Sequence, residues 1–137
     1  LFVLGVSALI LPIPFEIINL TSITDEMVMD APKIDIVLPE FLNFAKDSVL
    51  VAHNANFDIG FINAELSRIN KGELKKPNVP AVDTLKNSRK IYTEFTKFNL
   101  QFLANEFNIS VENAHRALDD ARVCMELFQH NLAQLKD

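Results

Sequence analysis

The sequence predicts a layered α/β domain on three observations. Short apolar runs of strand length, LFVLGVSALIL (1–11) and SVLVA (48–52), alternate with longer stretches of helical periodicity. The 137 residues, 49% hydrophobic, match one domain, with a single core burying roughly two thirds of the unfolded surface. Only three glycines, six prolines and one cysteine exclude collagen-like, low-complexity and disulfide-stapled scaffolds. The expectation is one domain over residues 1–137, in a reducing, cytoplasmic compartment.

Each element has its own warrant. Residues 1–11 are too short for the ~20 apolar residues that cross a bilayer. They lack the basic leader of a signal peptide, the first Lys or Arg being Lys33, and read as a buried strand with no membrane role. Thr24 before DEM is an N-cap candidate for a helical turn. Pro32 suits the first turn of a helix running to Ala45, and Pro39 would kink it. Ser48–Ala52 reads as a short buried strand and Asn56–Asn70 as a helix buried along Ile59, Ile62, Leu66 and Ile69. After a basic loop come a strand at Val79–Asp83, helices at Leu85–Ile91 and Leu100–Phe107, and the longest helix, Ala117–Leu135. On the last, Ala114, Leu118, Ala121, Met125, Phe128 and Leu132 form an apolar stripe.

The net charge of −5 argues against a simple basic nucleic-acid binder, but it is unevenly distributed. Residues 68–97 hold eight Lys and Arg against three acids, a local +5, and the remainder carries −10. The first region is either a docking face for a polyanion or an ordinary solvated surface. Carboxylates beside a polyanion site are tolerable when metal cations neutralise both.

Two acids stand where burial is expected. Asp58 lies about 60° from the centre of its helix's apolar stripe, just beyond the strand SVLVA. Asp120 falls roughly 100° from the centre of the late stripe, at its edge, whereas Asp119, roughly 160° away, is expected to face water. A carboxylate at a buried edge needs partners or a metal. Loops at the carboxyl ends of α/β strands are where ligands bind, so Asp58, Asp120 and a histidine, His115, make a metal or acid/base constellation. The alternative is that the acids simply complement the dipoles of their helices. His53 reads as a strand-end residue bonding a backbone group, His130 as remote from acids, and Cys124 as a small core residue. There is no CxxC, glycine-rich phosphate loop or GxSxG.

Three motifs then carry a resemblance. LTSITDEMV (20–28) resembles the LTGITDEMV of the DEDDh 3′ to 5′ exonucleases, with Ser22 in place of glycine; HNANFD (53–58) resembles their second motif and HRALDDA (115–121) their third. PAVDTL and NLQFLANEFNI are also similar, so the likeness covers about 118 residues from Leu20 onward. Within that family the chain especially resembles the proofreading epsilon subunit of bacterial DNA polymerase III and the exonuclease domain of PolC. The resemblance implies an RNase H-like mixed β-sheet flanked by helices, and hydrolysis of phosphodiesters at single-stranded DNA 3′ ends with two Mg²⁺ or Mn²⁺ ions, with a replicative DNA polymerase subunit as a candidate partner. Asp58 and Asp120 would be metal ligands, suiting hard cations, and His115 would accept a proton from the attacking water. Glu16 and Thr21 would sit in loops lining the terminal nucleotide, with Asn54 and Phe57 near the cleft. The departure is that no DxE pair occurs in residues 1–19, whose only acid is Glu16. The expectation is an N-terminally truncated domain with impaired cleavage. The alternatives are a catalytically degenerate binding module and a ribonuclease of the same fold.

Overall fold

A computed structural model describes residues 12–69, 81–112 and 116–135. The expected strand at 1–11 and the start of the one at 79–83 lie outside these. The described elements are α1 (Phe15–Thr21), α2 (Asp25–Val28), α3 (Ile34–Phe44), β1 (Val51–Ala52), α4 (Ala55–Arg68), β2 (Val82–Asp83), α5 (Thr84–Ile91), α6 (Leu100–Glu106) and α7 (Ala117–Gln134). No helix among the described residues is long and apolar enough to cross a membrane.

The two strands pair in parallel, Val51 opposite Val82 and Ala52 opposite Asp83. The strand expected over Ser48–Ala52 therefore shrinks to two residues, and Val49 and Val51 are exposed rather than buried. Among the described residues β1 has a neighbour on one edge only, so ladder and burial are both one-sided.

The periodicity read for α4 is confirmed. Ile62 and Leu66 pack with Ile34 and Leu38 of α3, flanked by Phe41, Leu42 and Ile69. α3 runs on through Pro39 as one assigned helix; the ring removes the N–H that would otherwise bond the Asp35 carbonyl. A second cluster joins α5, α6 and α7. Leu103, Ala104, Val123 and Leu127 are buried there. The Tyr92 ring tilts against Phe107 at 4.7 Å, and its hydroxyl bonds His130 Nδ1 at 2.8 Å. Asn131 donates to Ser88 Oγ at 3.1 Å across the buried α5–α7 contact.

The face of α7 is the largest correction. Leu118, Met125 and Leu132 of the expected stripe are exposed, Leu118 at 87%. The buried face is Asp119, Asp120, Val123, Cys124, Leu127 and Asn131. Asp119 leaves water because its charge is met on both oxygens: Oδ1 accepts from Arg122 Nε and Nη2, at 3.1 and 2.7 Å, and Oδ2 from the Glu112 N–H at 3.0 Å. Arg122 also donates to the Ser110 carbonyl at 2.6 Å, pinning the preceding loop to the helix.

Helix α1 was not expected, and it corrects the placement of Glu16 and Thr21 in loops: both are helical, Glu16 in the first turn and Thr21 in the last. Thr21 is buried because its hydroxyl returns to the Ile17 carbonyl at 2.8 Å. Ser22 ends α1 with φ 55°, in the left-handed region, its N–H bonding the Ile18 carbonyl. Thr24 takes the extended N-cap conformation of α2, although its hydroxyl makes no cap bond. Because a residue without Cβ meets the left-handed requirement without strain, Ser22→Gly should raise unfolding stability by about 0.5–1 kcal/mol. Ser22→Val should lower it; both are read from urea midpoints at constant m-value.

Candidate active site

The site is built where β1 ends. The chain leaves Ala52 through His53 and Asn54, the latter at φ 71° as N-cap of α4. Asparagine tolerates the left-handed region better than a branched residue, so the turn reverses in two residues and places Asp58 in the first turn of α4. β2 reaches its end one strand over and passes directly into α5 at Thr84.

Asp83 holds the two strand ends together. Its Oδ1 accepts from the N–H groups of Leu85 and Lys86 at 3.0 and 3.2 Å, capping α5, and from Asn54 N–H at 3.2 Å. Its Oδ2 is buried without a hydrogen bond, the Lys86 ammonium lying 3.9 Å away. Thr84, fully buried, sits 3.0 Å from His53 Nδ1 and 3.6 Å from Cys124 Sγ. His53 Nε2 lies 2.7 Å from the Phe98 carbonyl. Since a carbonyl only accepts, neutral His53 carries its proton on Nε2, and Nδ1 accepts from the Thr84 hydroxyl. Cys124 can then donate its S–H to the same hydroxyl oxygen. The expected backbone bond of His53 is thus present, together with a partner sequence reading did not supply.

Burial pushes the His53 imidazole below its ordinary value, with the Phe98 carbonyl and the Asp83 carboxylate pulling back in part. Burial pushes the Cys124 thiol up, in keeping with a protonated core residue rather than a reactive thiolate.

Beside this junction lies a cleft of about 570 Å³ that brings the two expected carboxylates into one lining: Asp58 from α4 and Asp120 from α7. The strand β1, His53 and Asn54 also contribute to its lining. Arg89 of α5, Phe98, Asn99 and Gln101 line it as well, with the Arg89 guanidinium 5.8 Å from the Phe98 ring centre. Glu16, Thr21 and Phe57 are not among the lining residues; Phe57 is exposed and tilts against Phe61 at 4.8 Å. His115 lies outside the described residues.

Carboxylate oxygens are the donors a hard divalent cation takes, so Asp58 and Asp120 suit that role. No group of three or more candidate ligands occurs among the described residues. Sequence reading missed Asp83 and Thr84 as organisers. The available signal was an aspartate between an apolar run and a helical pattern, an N-cap signature.

The model for exonucleases of the RNase T type matches residues 11–128. The chain belongs to this exonuclease family, as a DEDDh-type nuclease domain with a helix-rich, RNase H-like α/β fold and a small parallel sheet. It is 44% identical over 125 residues, 91% of its length, to "DNA polymerase III PolC-type" of Clostridium perfringens. It is 42% identical over 127 residues to the protein of that name from Caldanaerobacter subterraneus, and 43% over 122 residues to that of Staphylococcus aureus, matches covering 93% and 88% of the chain. The chain spans only 8–9% of the length of these relatives.

The His53 environment generates a pH prediction. Below the ordinary imidazole value of about 6.5, unfolded His53 binds a proton that the folded form resists. Its contribution to stability is complete above that pH and is lost as pH falls towards the lower folded value. Wild-type stability, measured against His53→Gln by chemical denaturation, should fall from pH 7.5 to 5.5. A pH-independent difference would refute the assigned burial effect.

Proposed function

We propose that the domain is a divalent-metal-dependent 3′ to 5′ exonuclease acting on single-stranded DNA ends, with Asp58 and Asp120 as metal ligands and His115 as general base. The observation that carries the reading is that two acids 62 positions apart, each in its own motif, meet in one cleft. A divalent cation there would supply charge neutralisation of the phosphate and a lowered pKa for the attacking water. The chain's own part is to hold the two carboxylates in one cleft lining and take a proton on the His115 imidazole, whose ordinary pKa lies near neutrality.

The same cleft lining suits the substrate. Arg89 and Phe98 offer a cation and an aromatic face, the pairing that single strands use for phosphate and base. Lys86, Arg89 and Lys90 lie on the one short helix α5, with Lys97 following. Of the four carboxylates in the family name, this sequence has no DxE pair in residues 1–19. The two carboxylates would hold metal weakly by themselves, and we infer slow cleavage by the chain alone. Asn54 would contact the terminal nucleotide from the turn; Glu16, Thr21 and Phe57 would contribute only from outside the cleft lining. A proofreading role beside a polymerase is the context favoured by similarity to PolC-type polymerases.

A second reading, a catalytically degenerate binding module, is motivated by the missing DxE pair in residues 1–19. The experiment that separates them uses the domain within its natural flanking sequence. It follows Mg²⁺-dependent release of nucleoside monophosphates from oligonucleotides labelled at either end, with matched DNA and RNA. Release from the 3′ end of DNA is expected. Strand binding without release supports the degenerate module, and faster release from RNA supports a ribonuclease. Asp120→Asn should reduce turnover by at least about 100-fold, and His115→Ala by roughly 10²–10⁴-fold. An undiminished Asp120→Asn enzyme would remove Asp120 from the ligand set.

A further inference from the structure

We propose that the Asp83–Thr84 dipeptide is a positioning element that sets the two carboxylate-bearing helices against each other. Asp83 acts through the turn that opens α4, and Thr84 through Cys124 on α7. The inference rests on the reading of Asp58 and Asp120 as joint metal ligands and deepens it. Neither Asp83 nor Thr84 touches the reacting groups in this account.

Each half has its own contacts. Asp83 Oδ1 takes the Asn54 N–H at 3.2 Å while capping α5, and Asn54 is the left-handed N-cap four residues before Asp58. Loss of that oxygen would release the turn and, with it, the direction in which the first turn of α4 points. Thr84 is adjacent in sequence and fully buried. Its Oγ1 lies within bonding distance of His53 on the same turn and of Cys124, one helical turn beyond Asp120. The string Cys124 Sγ–H to Thr84 Oγ1–H to His53 Nδ1, with His53 Nε2–H to the Phe98 carbonyl, satisfies each donor in turn. It links α7, α5, the β1 end and the loop before α6. Two helices with no sequence proximity thus take their register from neighbouring residues on a third element.

The burial of this carboxylate supports a specific purpose. Asp83 keeps Oδ2 in the interior without a hydrogen bond, relieved only by a distant Lys86 ammonium and the N-terminal dipole of α5. Helix capping alone is met at exposed N-caps, as at Asn99, which caps α6 through Phe102 N–H. Asp83 differs in also reaching across to a second element.

The test measures Mn²⁺ affinity by titration and amide exchange at Asn54, both on the whole chain. Asp83→Ala and Thr84→Val should each weaken Mn²⁺ binding about 10-fold, the scale of losing an outer-shell partner. Asp83→Ala should also speed Asn54 exchange relative to global unfolding. Asp83→Asn and Thr84→Ser, which retain an accepting oxygen and a hydroxyl, should stay within about threefold of wild type. Leu103→Val, a core change that destabilises without touching the turn, should leave Mn²⁺ affinity unchanged. Wild-type Mn²⁺ affinity in folded Asp83→Ala and Thr84→Val, or equal weakening by Leu103→Val, would overturn the proposal. If wild type itself binds no Mn²⁺, the metal reading fails and Asn54 exchange decides the positioning claim. Retained protection in Asp83→Ala refutes it, and selective loss upholds it.

Discussion

One carboxylate oxygen organises this molecule: Oδ1 of Asp83 receives three backbone N–H groups, two from its own helix and one from the Asn54 turn. The geometry matters because the parallel ladder at this point is only two residues long on each strand. So short a ladder fixes little by itself, and the relative placement of β1, α4 and α5 depends on what joins the strand ends. Asp83 and the buried Thr84 next to it make that join. A site assembled from the ends of α4 and α7 inherits its precision from this junction, in line with the general need to support functional groups from behind.

The adjacent acids of α7 are buried in different settings. Asp119 is buried because Arg122 and the Glu112 N–H meet it on both oxygens. Its neighbour Asp120 turns to the cleft lining instead. The adjacent acids of the HRALDDA motif are therefore placed differently, one anchoring the preceding loop to α7 and the other lining the cleft. Asn131, polar enough to lower the apparent hydrophobicity of the buried face, bonds Ser88, and Cys124, a small core residue, lies within bonding distance of Thr84.

This explains which parts of the structure were legible. The α4 stripe was readable because its buried positions are plain aliphatics, and the positions of α5, α6 and α7 follow from helical periodicity with good boundaries. The α7 face was misread because hydropathy favours Leu118, Met125 and Leu132 over a face holding two aspartates, a cysteine and an asparagine. Only the partners on other elements make that second face the interior one. Helix α1 went unread because seven residues after Pro14 give too short a period. Asp58 and Asp120, which line the cleft, were singled out from the conflict between charge and expected burial. Asp83 and Thr84 were passed over because their role lies in contacts 29 to 40 residues distant in sequence.

The proposed function requires Asp58 and Asp120 to act as one metal-binding pair. The most direct measurement is an anomalous-scattering map from crystals of the domain soaked in Mn²⁺ with a short single-stranded DNA. A Mn²⁺ peak within coordination distance of oxygens from both carboxylates, with the 3′-terminal phosphate beside it, is the predicted result. Ordered DNA in the cleft with Mn²⁺ bound elsewhere, or by neither carboxylate, would contradict it.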